Sequence, residues 1–392
     1  MARSILFVTG TRADYGKLAP LATVVRDAGF DVSFFVTGMH MMARYGLTKT
    51  EVHRMSGVRV HEFLNQRPDD PQDIVLAKTV IGFSDFVQEM HPDLVVIHGD
   101  RIEATASALV TATNYIRSAH IEGGEVSGTI DEVLRHCNTK LASHHFVSSD
   151  DAARRVQALG EPPEYIHVIG SPELDVHGMD SGVTLDEVKR RYEIAFDDYG
   201  ICTFHSVTSE SDTMGQQAEA FFAALQDSRR PFVVIAPNND PGSHCIFAVI
   251  DKLPKAQFRV IPSLRFNYFS ELMKNAACIV GNSSAGVREA PFLGIASLDV
   301  GSRQTNRALS PTVTAVMASD RTGILDFMAN RWGARFPRHC AYGQGLASTR
   351  FLEVLQRAEF WDSPLQKTFH EGPVPLRQEA TSHQDRNPAA VC

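Results

Sequence analysis

Carboxylates, arginines and hydroxyls recur in this chain at the ends of short apolar runs. Asp100 and Arg101 follow Leu94-Val95-Val96-Ile97, and a helical pattern begins just after them. A carboxylate at such a mouth serves either as a helix N-cap or as a proton-transfer group. Glu122 and Glu125 flank Gly123-Gly124 at the end of the run 116–121. A cap needs one carboxylate, whereas a glycine pair lets a ligand approach the backbone. Asp131 and Glu132 open the next helical stretch, where stabilisation by the helix dipole would account for them equally well. His205 ends the run 201–204, in the place that Gly10 takes after the first apolar run.

A second set of residues suits an anion. Cys278-Ile279-Val280-Gly281 leads into Asn282-Ser283-Ser284-Ala285-Gly286-Val287-Arg288-Glu289. Strand, small polar turn and helix together aim free backbone N–H groups at a ligand. Asn282 or Ser283 would cap the helix, and Ser284 adds a hydroxyl. Glu289 is expected about two turns into that helix, within reach of a sugar hydroxyl pair. Taken alone, the stretch also reads as an ordinary capped helix. Arg12, in Thr9-Gly10-Thr11-Arg12, either reaches a phosphate or pairs with Asp14. The first turn lacks GxGxxG, so no dinucleotide fingerprint is supported. The histidines lack metal-ligand spacing, and no metal is expected.

The elements that must position these residues follow a repeating pattern. Continuous apolar runs near 5–8, 32–36, 94–97, 116–121, 146–147 and 166–169 read as strands covered on both faces. Amphipathic helices alternate with them, including one over 74–90 that Pro92 stops. The apolar pattern lapses over 174–184, where a linker is expected. It restarts with runs at 201–204, 232–235, 258–261, 278–281 and 298–300, and a last helix is expected over 347–359. The fold class is therefore α/β, with two doubly wound Rossmann-like domains and a cleft between them. Expected boundaries are 1–175, 176–363 and a loose polar tail over 364–392.

Bulk properties narrow the function. A length of 392 residues suits two domains. A 43% hydrophobic and 21% charged composition is that of a globular protein. The net charge of −8, spread along the chain, argues against a nucleic-acid partner. Six scattered cysteines form no CxxC pair, and the several within apolar runs suit reduced core thiols. No signal-peptide h-region or bilayer-length run is present, so a cytoplasmic location is expected.

Several motifs align in order over roughly residues 5 to 310. Gly10-Thr11-Arg12-Ala13-Asp14-Tyr15, His98-Gly99-Asp100-Arg101 and the segment from His120-Ile121-Glu122-Gly123-Gly124-Glu125 to Asp131-Glu132 resemble the UDP-N-acetylglucosamine 2-epimerase family. So do Phe204-His205, Pro237-Asn238 and the stretch from Asn282 to Glu289. The resemblance is to the hydrolysing branch, since the other branch carries a Glu-Ala-Gly-Leu-Arg type segment where this chain has Glu122-Gly123-Gly124-Glu125-Val126. It implies a GT-B-like arrangement in which a C-terminal helix crosses back to the first domain. It implies catalytic roles for Asp100, Glu122, Glu132 and His205. It implies nucleotide binding by Arg12, Arg101, Asn238, Ser283, Ser284, Glu289 and Arg303. It implies no cofactor, a nucleotide-sugar substrate, and a homodimer or homotetramer.

The implied reaction suits the residue types. The sugar's C2 proton has no neighbouring ketone to acidify it. Departure of UDP from C1 builds positive charge on the ring and acidifies that proton. Elimination gives 2-acetamidoglucal, and hydration gives the free epimerised sugar, N-acetylmannosamine, for sialic acid-type biosynthesis. Cations and N–H groups would hold the departing diphosphate, and carboxylates would handle the C2 proton and the water. Alternatives are the same reaction on UDP-N,N'-diacetylbacillosamine, for legionaminic acid, and a GT-B glycosyltransferase. A non-catalytic nucleotide-sugar sensor would be expected to have lost some of the four catalytic side chains, and all four are present.

Overall fold

A computed structural model of the protein describes residues 2–370 except 69, 127–129, 179–181, 239, 306 and 308–309. Most of the expected tail, 371–392, lies outside the described residues, as do Ser127, Gly128 and Thr129 of the acidic motif.

Seven strands form the first sheet: β1 (Ser4–Thr9), β2 (Asp31–Val36), β3 (Arg59–Glu62), β4 (Leu94–His98), β5 (Ser118–Ile121), β6 (His144–Val147) and β7 (Ile166–Val168). Their order is β3-β2-β1-β4-β5-β6-β7. Six form the second: β8 (Gly200–Thr203), β9 (Phe232–Ile235), β10 (Phe258–Ile261), β11 (Cys278–Gly281), β12 (Ala296–Val300) and β13 (Val313–Val316), in the order β10-β9-β8-β11-β12-β13. Neighbouring strands are parallel within both sheets. The expected α/β class, with two doubly wound sheets, is what the chain forms. Each sheet reverses its winding at one place, between β1 and β4 and between β8 and β11. Ligands of open α/β sheets bind beyond the strand ends at such reversals.

Covering helices explain the continuous apolar runs. Phe7 and Val96 pack beneath Leu18, Leu21 and Val25 of helix Arg12–Asp27. Leu6, Val95 and Ile97 pack on the other face with Phe83, Val87 and Ala108. Strands β3 and β13, both at sheet edges, escaped the sequence reading, whereas the edge strands β7 and β10 showed as apolar runs. β3 reads Arg59-Val60-His61-Glu62 and is only partly covered, so it has no apolar run to notice.

Two helices depart from expectation. The final one is broken into Ala347–Leu355 and Ala358–Asp362. Phe351, Leu355, Phe360 and Trp361 join the core of the first sheet, although they follow the second sheet in sequence. Arg117 donates to the carbonyls of Trp361 at 2.6 Å and Ser363 at 2.9 Å. The helix after β11 is split as well, into Ser284–Val287 and Glu289–Leu293, with Pro291 in the second piece. Glu289 therefore opens a new short helix instead of lying two turns along the first.

Candidate active site

The cleft lies where the two reversals face each other. Its volume is about 250 Å³, and an adjoining lobe of about 410 Å³ shares Asp100, Arg101 and Asp131 with it. Each wall is assembled from strand ends, so sheet topology brings together residues far apart in sequence.

On the first-domain wall, Asp100 follows β4 and is ion-paired with the buried Arg135 of helix Ile130–Leu141. Glu122 follows β5 with φ of +69°. A left-handed conformation at a glutamate costs free energy and marks a side chain that the surroundings hold in place. Glu122 is buried, accepts from Lys17 Nζ at 2.8 Å and pairs with Arg288. Its other oxygen lies 3.2 Å from Nε2 of His98, whose Nδ1 lies 3.4 Å from Asp14. Burial alone would raise the Glu122 carboxyl. The cations Arg288, Lys17 and His98 overcome this and hold it well below the usual carboxylate range. His98 shows the converse balance: burial lowers it, and the charges of Glu122 and Asp14 raise it more.

Arg12 begins helix Arg12–Asp27, which Thr11 and Asp14 cap reciprocally. Asp14 is thus committed to the cap, and Arg12 pairs instead with Glu51 at 3.3 Å. Its side chain lines a separate groove with Tyr15 and Phe266. Neither Arg12 nor Glu132 is among the side chains lining the cleft. Asp131, next to Glu132, does line it and lies 4.0 Å from Arg303. Glu132 lies 3.6 Å from His136, one turn along its own helix. Helical geometry explains the difference, because adjacent residues point about 100° apart.

The second-domain wall carries His205, Asn238, Ser283, Ser284 and Arg303 together. The Asn282 side chain clamps the ends of β8 and β11: its Oδ1 accepts from His205 N at 2.6 Å and its Nδ2 donates to His205 O at 2.8 Å. Ser283 is consequently the N-cap, accepting from Ala285 N at 3.4 Å. Gly281 permits the close approach. Its φ is +121°, and a Cβ there would lie 2.0 Å from the Thr203 carbonyl oxygen. Burial, reinforced by Arg303, pushes the His205 imidazole down to about 3. Asp240 bridges the walls, accepting from Arg101 at 3.1 Å and from Asn238 Nδ2 at 2.6 Å, with Arg303 3.9 Å away. Glu289 is turned away from the cleft lining and bonds His177 Nε2 at 2.9 Å.

Sequence reasoning missed Lys17, His98, Asp240 and Arg288 as site residues. Lys17 carries no local signal, since only folding brings helix Arg12–Asp27 beside β5. Arg288 had one: with Glu289 it interrupts an otherwise apolar stretch running from Ala285 to Leu293. A buried arginine implies buried carboxylates around it.

The two facing doubly wound sheets and the polar cleft at their switch points define a GT-B-like, Rossmann-type protein. The same fold is found in the Methanocaldococcus jannaschii UDP-GlcNAc 2-epimerase in complex with UDP-GlcNAc and UDP (TM-score 0.76, 18% identity, 90% of this chain and 99% of that one). The family model for UDP-N-acetylglucosamine 2-epimerase matches residues 22–356, and the chain belongs to that family. It is 40% identical over 372 residues to the UDP-N-acetylglucosamine 2-epimerase of Neisseria meningitidis serogroup B, covering 94% of this chain and 98% of the relative. It is 32% identical over 368 residues to the hydrolysing UDP-N,N'-diacetylbacillosamine 2-epimerase of Legionella pneumophila, covering 91% and 96%.

Proposed function

We propose that the protein is a hydrolysing UDP-N-acetylglucosamine 2-epimerase that releases UDP and free N-acetylmannosamine for sialic acid-type biosynthesis. The observation that carries this reading is the division of the cleft. Asp100, Glu122 and Asp131 line one side together with the helix-capping Asp14, while His205, Ser283, Ser284 and Arg303 line the other. The first wall suits proton transfer at a sugar ring, and the second suits a diphosphate. The resemblance to a relative named as hydrolysing supports the branch.

In this reading the second-domain wall stabilises the leaving group. Asn238 N donates to His205 Nδ1, so the neutral imidazole carries its proton on Nε2 and donates it to a diphosphate oxygen. Arg303, Arg101 and the Ser283 and Ser284 hydroxyls add charge and donors as the C1–O bond breaks. On the opposite wall, Asp100 or Glu122 takes the C2 proton, and the electron pair forms the C1–C2 double bond. The other carboxylate guides water, whose hydroxyl adds to C1 while a proton returns to C2 on the opposite face. Asp131 takes the supporting place expected of Glu132. Arg12 and Glu289 stand aside from this cleft and would meet nucleotide only after rearrangement.

The test is to incubate the protein with UDP-N-acetylglucosamine and separately with UDP-N,N'-diacetylbacillosamine, and to follow products by NMR. UDP with free N-acetylmannosamine supports the proposal. Turnover of the second sugar alone would move the assignment to the other substrate, which the Legionella relative's name favours. UDP-N-acetylmannosamine as the stable product would sink the hydrolysing assignment.

A further inference from the structure

Arg288 is the largest of the fully buried side chains described. It leaves the second domain at the break between helices Ser284–Val287 and Glu289–Leu293 and ends among first-domain carboxylates. Its Nη1 pairs with Glu122 and lies 3.3 Å from Glu173, and its Nη2 lies 3.1 Å from Glu125. Its guanidinium carbon sits 4.8 Å from the centre of the Tyr342 ring. Nη1 donates to Glu122 and Glu173, whereas Nε and Nη2 have no well-aligned hydrogen-bond partner and are held by charge and stacking. Other charges face the same nest. Lys17 lies 2.8 Å from Glu122 and 3.7 Å from Glu173, His98 is 3.2 Å from Glu122, and Arg307 is 3.8 Å from Glu125. Asp14 lies behind His98.

Of the three cations facing Glu122, Lys17 and His98 belong to the first domain and stay with it. Arg288 alone among them arrives with the second domain. We propose that Arg288 is a positioning residue that ties the charge and orientation of Glu122 to the docking of the two domains. Glu122 is then held ionised in a single orientation when the cleft walls are together. When they part, the carboxylate loses its strongest partner, and proton transfer is confined to the docked state. This inference rests on the role proposed above for Glu122.

The experiment compares the full-length protein with Arg288→Met, Arg288→Lys and the double variant Arg288→Met/Glu173→Gln. The double variant also removes the Glu173 charge, which the lost arginine would otherwise leave facing Lys17 alone at 3.7 Å, so it guards against simple misfolding. Turnover of UDP-N-acetylglucosamine is measured against pH, and small-angle scattering reads the domain arrangement without substrate. Loss of the guanidinium should move the acid limb of kcat/KM upward by about one pH unit or more, because burial then acts on Glu122 less opposed. It should lower kcat by about tenfold or more with a smaller change in KM, and it should increase the radius of gyration. Arg288→Lys, which keeps a cation, should reverse most of each effect. An unmoved acid limb together with an unchanged radius of gyration, in a variant that melts as a folded protein, would overturn the proposal. Absence of wild-type turnover would instead count against the assigned reaction, and the scattering comparison would still test the docking role.

Discussion

His205 Nδ1 accepts a hydrogen bond from the backbone N–H of Asn238 at 3.2 Å. A backbone amide can only donate, so the imidazole proton must sit on Nε2. Burial with Arg303 nearby holds the ring neutral, with its pKa pushed down to about 3. The residue is thus built to donate a hydrogen bond, and its titration lies outside the neutral range. Replacing it with Ala should lower kcat by roughly 10²–10³, the typical loss of one donor to developing negative charge. His205→Asn, which keeps an N–H donor, should recover part of it. The neutral-range limbs of the wild-type pH–rate profile should persist in His205→Asn, and their disappearance would show that His205 titrates in catalysis.

Asp131 and Glu132 separate a cleft side chain from its neighbour. Asp131→Asn should reduce kcat by about 10² or more if it supports proton transfer. Glu132→Gln should stay within about threefold of wild type. Steady-state release of UDP measures both, and a large loss in Glu132→Gln alone would restore the expectation drawn from sequence.

Asp240 holds Arg101 at 3.1 Å and stands 3.9 Å from Arg303, the two guanidiniums that the proposed mechanism gives to the diphosphate. In that mechanism it competes with a phosphate for them. Asp240→Asn should tighten UDP binding, on the order of tenfold for about 1.4 kcal/mol. Calorimetric titration with UDP would reveal the change, and weaker binding would mean that Asp240 positions the arginines instead.

Phe351 is fully buried in the first domain's core although it follows the second sheet. Phe351→Ala should cost about 3–5 kcal/mol of stability. Denaturant melts should show that loss with the slope unchanged.

Three buried histidines set an acid limit on the fold. Burial pushes His40 down to about 4, His120 to about 3 and His144 to about 2. Each has a folded pKa below its unfolded value near 6.5. Between those values the unfolded chain binds the proton and the native chain does not, so stability falls as pH falls from about 6.5. The slope should approach ~1.4 kcal/mol per pH unit for each histidine. Thermal melts between pH 7 and about 4.5 test the sign, and a melting temperature that rises on acidification would refute it.

Much of the fold was legible in one dimension. Continuous apolar runs marked the doubly covered strands, and the helix expected over 74–90 formed as Gln72–Met90. Those signals are local, because a strand buried on both faces must be apolar along its length. The edge strand β3, only partly covered, carries no such requirement and left no run. Asp100, Glu122, His205, Asn238, Ser283, Ser284 and Arg303, singled out from their motifs, all line the cleft, since strand ends meet at a switch point whatever the loops do. Tertiary structure decided everything that depends on direction and long-range charge. It chose Asp131 over Glu132 for the cleft, because one residue along a helix is about 100° of rotation. It turned Arg12 to Glu51 and Glu289 to His177. It also set Arg288 against Glu122, 166 positions away. No sequence window spans that distance, and the pair exists only because two separately wound sheets bring their strand ends face to face.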